Sequence, residues 1–364
     1  MDKSRLYFID IVRAFAILMM LQGHFIDTLL ATSYRDTNNI AFNIWSYFRG
    51  ITAPTFFTIS GLIFTYLLLR AKTKGLENKR MIKGLTRGFF LIGVGYVLRI
   101  PIFSWLAGKF NSYFLVIDVL QIIGLSLIFI ICIYFLCNKK TTLFAIISLI
   151  LGVTIFITEP LYRNLNITSI PVFLNNYISK SNGSIFTILP WAGYVCFGAF
   201  LATIFNKNLL KKNFKKTVIF SFLIIGCVFI FYSSLILAFL SKLCNFQLLM
   251  DAASYNYLFT RFGNVLIIFA FFYSLEAYLK FPLILKIGQK TLSIYVIHFI
   301  IIYGSFTGLG LKKIIGKNLN PTEAIIGAIL FLVAVCIISF YYAQTNAFLY
   351  AKLTKIFNKL KSKS

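Results

Sequence analysis

The chain has 364 residues, of which 59% are hydrophobic and only 13% charged, and its mean hydropathy is +0.85. That balance excludes an ordinary soluble enzyme and reads as an all-α polytopic membrane protein. The formal charge of +26 could suggest nucleic acid, but no basic helix or zinc pattern supports it, and Lys and Arg in short loops on one side of a bilayer explain it better. The six cysteines make no CxxC pair and read as small hydrophobes, not as a disulfide frame or metal site. The first apolar run is too long for a cleavable signal and lacks a small-residue cleavage site, so it is expected to stay as a span.

Ten spans are predicted: 7–31, 43–69, 87–108, 114–137, 141–158, 184–205, 215–240, 257–279, 285–306 and 322–350. Each approaches or exceeds the ~20 residues needed to cross. They form a single membrane domain over 1–364 with a short basic tail, 351–364. Lys3 and Arg5, the second loop (Lys72, Lys74, Lys79, Arg80, Lys83), Lys139, Lys140, Lys207, Lys211, Lys212, Lys280, Lys286 and the lysines of the tail fall on one face if both termini are cytoplasmic. Lys312, Lys313 and Lys317 break the pattern. The longest loop on the other face, 159–183, is polar and rich in Asn.

The first span carries Asp10, Arg13, His24 and Asp27. At 100° per residue Arg13 and His24 fall about 20° apart, all four share an arc of roughly 100°, and the rise from Arg13 to His24 is about 16 Å. Ionisable groups at membrane depth normally face a protein interior or a water-filled cavity, which makes them functional candidates. The plainer alternative is that Asp10 and Arg13 pair at i,i+3 and anchor the helix end. In the second span, Pro54 and Gly61 can loosen the helix, and the Ser60-Gly61 pair reads as helix packing rather than a nucleophile. Arg70, Arg80 and Arg87 could meet phosphates, although loop arginines ordinarily set topology. The third span reaches Arg99-Ile100-Pro101. The fourth sets Asp118 and Gln121 on one face, and the sixth carries Pro190-Trp191. In the ninth, Thr291, Tyr295, His298 and Ser305 lie within about 80° of each other. His298 is about 18 Å above Lys286 by helical rise, a depth like that of His24. These are the only 2 histidines of the chain. Without a carboxylate cluster they make a weak metal site, and no metal is expected. They suit proton removal near neutral pH, with Asp27 one turn from His24 to orient the ring or stabilise its imidazolium.

These residues resemble a known family. An arginine followed, after ten intervening residues, by a histidine (Arg13 and His24) is similar to the first-span motif of the membrane acyltransferase superfamily. The run Ala53-Pro54-Thr55-Phe56-Phe57-Thr58-Ile59-Ser60-Gly61 looks like its second-span motif. The stretches 118–124, 189–193 and 287–298 resemble the branch related to heparan-alpha-glucosaminide N-acetyltransferase. The type-3 acyltransferases share the first motif. One departure is Ile122, where an arginine commonly follows the glutamine in the heparan branch.

The resemblance implies an enzyme of about ten helices that moves an acyl group, usually acetyl, from cytoplasmic acyl-CoA to a sugar or glycan acceptor across the cell membrane. It implies His24 as general base or transient acyl carrier and Arg13 near the donor, and the residues themselves add Asp27 and His298 as catalytic candidates. From the polar residues of the spans, Asp10 and Arg70 are candidates beside Arg13 for the donor, and Arg99, Asp118, Gln121, Trp191 and Tyr295 for the acceptor. Acetyl-CoA and a glycan are the expected partners, with membrane lipid around the protein and room for a homodimer. The alternative from the residues alone is a secondary transporter of a small polar solute, with the polar stripe as its path.

Overall fold

The computed structural model describes the backbone over residues 6–110, 112–167 and 169–361, and side chains as far as residue 342. Lys3, Arg5 and the side chains of the basic tail 351–364 lie outside the described residues. Among the described residues there is no β-strand, only an isolated bridge joining Leu30 to Leu319. The helices are α1 Tyr7–Leu29, α2 Ile40–Lys72, α3 Glu77–Val97, the short α4 Ile102–Leu106, α5 Val119–Leu136, α6 Thr141–Ile157, the short α7 Glu159–Tyr162 and α8 Val172–Ile178. They continue with α9 Ile188–Asn208, α10 Phe214–Phe231, α11 Ser233–Cys244, α12 Gln247–Ser254, α13 Tyr257–Ser274, α14 Pro282–Gln289, α15 Thr291–Tyr303, the short α16 Leu311–Ile314 and α17 Pro321–Lys361.

The protein is an all-α polytopic membrane protein. Seven stretches are long and apolar enough to cross a bilayer, and α14 with α15 makes an eighth across a bend of 70°. The two remaining predicted spans differ from expectation. The third, expected at 87–108, is a helix from Glu77 to Val97. Its first turns carry Lys79, Arg80 and Lys83, which hydropathy reads as loop. Its end is set by Pro101, which disfavours helical geometry in the residue before it. The fifth, α6, has only 17 residues. The fourth begins later than expected, at Val119, because Asp118 caps it: its carboxylate accepts from Val119 N, and Gln121 completes a capping box. Part of the 159–183 loop is helical, and there Asn176 is buried and donates to the Leu115 carbonyl at 2.9 Å.

Burial sorts the helices into an inner and an outer set. The most apolar windows of α2 and α9 are 72% and 78% buried, against 22% for α10 and 28% for α17. The first two form the core and the last two face outward. With no water to drive apolar faces together, membrane helices pack through small residues that let backbones approach. Here Gly61 of α2 rests on the Val195 carbonyl, and Gly198 of α9 rests on the Thr58 carbonyl, so neither position has room for a Cβ. That accounts for the Ser60-Gly61 pair as packing; the Ser60 hydroxyl donates to the Phe56 carbonyl at 2.7 Å. Helix α1 is the axis of the remainder, packed against α2, α13, α14, α15 and α17.

Candidate functional site

The site begins where α14 meets α1. A Cβ at Gly288 would fall on the backbone of Asp10, so glycine lets the two helices touch there. The contact carries the next residues into reach. Gln289 Nε2 lies 3.5 Å from Asp10 Oδ2. After the bend, Thr291 Oγ1 accepts from Arg13 Nη2 at 2.8 Å. Arg13 Nη1 is 3.7 Å from Asp10 Oδ1. The guanidinium is thus fixed from two helices, with donors left to face the space beside it.

That space is a cavity of about 270 Å³ lined by Arg13, Arg80, Arg87, Gln289 and Thr291 at its polar end, and by Ile17, Met20, Phe64, Leu120, Leu127 and Tyr295 elsewhere. Arg80 and Arg87 come from the first half of α3. Seven residues apart, they project about 20° from each other on one helix face. Three arginines over an apolar shaft suit an anion carried on a long, less polar chain.

From the top of this cavity a row of rings continues along α1 and α15. Tyr295 packs edge-on to His298 with centroids 4.9 Å apart. The His298 ring is 5.2 Å from that of His24. His24 Nδ1 lies 2.8 Å from the Tyr303 hydroxyl. The two histidines, predicted to sit at similar depth, therefore face each other. His298 is fully buried, and neither of its ring nitrogens has a hydrogen-bond partner among the described residues.

Beyond Tyr303 lies a second cavity of about 530 Å³, bounded by Arg99, Tyr113, Asn182, Phe299, Tyr303 and Lys312. No residue lines both cavities. Arg99 is held at this mouth by Asp118, at 2.7 Å with side chains only 3% and 8% exposed. Its guanidinium also lies 5.0 Å from the Tyr113 ring centre and 5.4 Å from that of Phe299. A pair this buried costs desolvation that its attraction must offset, and it persists because each partner would otherwise be an unpaired buried charge. Asp118 serves twice, as cap of α5 and as anchor of Arg99.

Several sequence-predicted residues lie elsewhere. Asp27 does not orient His24: it is paired with Arg49 and lies 3.9 Å from Arg35. The group on Nδ1 is Tyr303 instead. Arg70 stands over the Tyr66 ring at 5.9 Å and lines neither cavity. Trp191 is packed among Phe57, Phe186 and Tyr194, with centroids 5.0, 4.9 and 5.7 Å away, and it too is outside both linings. Gln121 takes part in the capping box, its Oε1 accepting from Asp118 N at 3.2 Å, while its buried Nε2 has no hydrogen-bond partner among the described residues. Tyr303 is the addition, while Arg80 and Arg87, expected from sequence as candidate phosphate contacts or topology-setting loop charges, line the cavity beside Arg13. The two arginines carried a usable signal in their seven-residue spacing. Tyr303 carried none, because its partner is 279 positions away. No group of three or more His, Cys, Asp or Glu able to hold a metal lies among the described residues.

A family model described as heparan-alpha-glucosaminide N-acetyltransferase, catalytic, matches residues 5–244, well over half of the chain. The match takes in Arg13, His24, Arg80, Arg87, Arg99 and Asp118, and ends before α14 and α15, which bring Thr291, Tyr295, His298 and Tyr303 to the same site. Comparison with curated proteins gives no match.

Proposed function

The chain belongs to the heparan-alpha-glucosaminide N-acetyltransferase catalytic family, and from that premise we propose that it moves an acetyl group from acetyl-CoA in the Arg13 cavity to a sugar hydroxyl or amine in the Arg99 cavity. The observation that carries this reading is the pair of cavities that share no lining residue and are joined by Tyr295, His298, His24 and Tyr303. The basic loops favour a cytoplasmic Arg13 side, which is where acyl-CoA is found; the acceptor then comes from the opposite face of the cell membrane.

The residues have distinct parts in the reaction. Arg13, Arg80 and Arg87 hold the phosphates of the donor, whose pantetheine arm follows the apolar wall past Ile17 and Met20. Met20 is one turn below His24, so the thioester end of the donor approaches the histidine. Tyr303 accepts a hydrogen bond from His24 Nδ1–H, which leaves the lone pair on Nε2. Nε2 removes the proton from the acceptor oxygen or nitrogen as that atom attacks the thioester carbonyl. The tetrahedral intermediate collapses, the carbon–sulfur bond breaks, and the thiolate takes the proton back from the imidazolium. Base catalysis of this kind contributes roughly 10²–10⁴-fold. Arg99, held rigid by Asp118, offers the acceptor a fixed donor at its end of the path.

The test is acetyl-CoA binding and acetyl transfer by the detergent-solubilised protein. Binding should raise apparent thermal stability, weaken in Arg13→Ala and survive in His24→Ala, while transfer or hydrolysis of labelled acetyl-CoA stops in His24→Ala. Full transfer by a folded His24→Ala protein would remove the histidine from the mechanism. Absence of acetyl-CoA binding in the wild type would remove the donor assignment.

A further inference from the structure

A third cavity has no part in the reaction described. It is about 620 Å³ in volume and lies between α6, α9, α10 and α13. Its wall is apolar from Leu201 and Phe222 up to Phe229 and Phe262, and its basic residues are confined to one end, at Lys211 and Lys212. Those lysines sit in the connection from α9 to α10, the loop whose charge marks it as cytoplasmic. Both are exposed, and neither is in an ion pair among the described residues. Lys215, one turn further on, is by contrast engaged by Glu276 at 3.6 Å.

Length and chemistry together select an occupant. From Thr217 to Phe229 the cavity follows α10 for about 18 Å of helical rise, a little more than half of a hydrocarbon core ~30 Å thick. Water has few polar partners along such a wall and would not be held there. The volume is within the range of a specific ligand site. One wall of the space is α10, which buries little of itself against protein and exposes Phe220, Leu223 and Ile224, so a lipid-facing helix borders the cavity.

We infer that this cavity is a binding site for one anionic phospholipid of the cytoplasmic leaflet, its acyl chain between α9 and α10 and its phosphate headgroup on Lys211 and Lys212. The bound chain supplies the packing that α10 lacks against α9 and makes the lipid an integral part of the bundle. The inference rests on the orientation of the α9–α10 loop and stands apart from acetyl transfer, since none of these residues lines either cavity of the reaction path.

Native mass spectrometry of the purified protein, with dioleoyl-phosphatidylglycerol and dioleoyl-phosphatidylcholine as probes, tests it. The wild type should retain one phosphatidylglycerol through delipidation and prefer it over phosphatidylcholine. Lys211→Gln with Lys212→Gln changes only surface charge and should weaken phosphatidylglycerol about 30-fold, the factor expected for two lysine contacts at the membrane surface, leaving the two lipids alike. Ser221→Phe, which fills the middle of the cavity, should lose both. Equal retention of the two lipids by the wild type, an unchanged preference in the double lysine variant, or a graded series of several bound lipids with no single-lipid state would each overturn the assignment. So would retention of the one tightly held lipid in Ser221→Phe.

Discussion

Replacing Tyr303 by Phe removes one hydroxyl and leaves the ring in place, so it removes the 2.8 Å contact with His24 Nδ1 together with the hydroxyl's bond to Thr28, which does not touch the base. In the resting enzyme that contact is a neutral hydrogen bond, worth about 1 kcal/mol net. Once Nε2 has taken the acceptor proton the ring is an imidazolium, and the same bond is then made by a charged donor, worth about 1.5–3 kcal/mol. Only the difference appears in the rate, because an interaction equally strong before and during reaction does not lower the barrier. The expected loss is therefore about 0.5–2 kcal/mol, or a fall in kcat of roughly 2- to 30-fold. On the proposed path the donor lies on the far side of the ring row from Tyr303, which does not line that cavity, so the KM for acetyl-CoA should stay within about twofold on the same transition-state accounting. Steady-state transfer of labelled acetyl, with donor and acceptor varied separately, measures both. An unchanged kcat would mean that Tyr303 does not support the base, and a rise in donor KM at constant kcat would mean that the two cavities are not separate in use.

Other consequences can be checked with the same protein. Arg80→Ala and Arg87→Ala should each weaken acetyl-CoA binding about 10- to 100-fold, the loss of one charge-assisted phosphate contact, whereas Arg70→Ala should bind as the wild type does; an Arg70 effect of equal size would relocate the donor. Arg99→Leu alone strands the Asp118 carboxylate and should cost about 3–5 kcal/mol in thermal or denaturant unfolding. Arg99→Leu with Asp118→Asn should recover much of that, because asparagine can still cap α5; if it recovers nothing, the pair is not what holds this region. A base must be neutral to accept a proton, so transfer should decline toward acid pH and level off on the alkaline side. A rate that rises toward acid would assign His24 the opposite charge state.

Sequence and structure agree best where one helix carries its own signal. The Arg13–His24 stripe needs only the helical repeat, and α1 presents both residues to the bundle interior as that repeat requires. Agreement is weaker at helix ends. Hydropathy placed the third span ten residues late because its windows count Lys79, Arg80 and Lys83 as loop, although a helix can keep such side chains at the membrane surface. The fourth span was placed early because a window does not see that Asp118, with Gln121, stops the helix from running back toward Phe114. Partners across helices were the least legible. Asp27, the local candidate for His24, is drawn to Arg49 and Arg35, and the side chain that does meet the ring comes from the opposite end of the chain. Trp191 shows the converse: an aromatic beside proline in a family-like motif, used by the fold for packing against Phe57 and Phe186.

The separation of the two cavities has an electrical meaning as well as a chemical one. On the proposed path the two cavities enter the bilayer from opposite faces, and the ring row of Tyr295, His298, His24 and Tyr303 lies between them, beside the buried Arg99–Asp118 pair. Those rings are then the local dielectric of the membrane, across which each elementary charge does about 2.3 kcal/mol of work per 100 mV. Opening the row, for example by Tyr295→Ala together with Tyr303→Ala, should give liposomes that dissipate an imposed proton gradient faster than those carrying the wild type. On the proposed path, the bulk of these aromatic residues is what holds the membrane potential while a two-carbon group goes through.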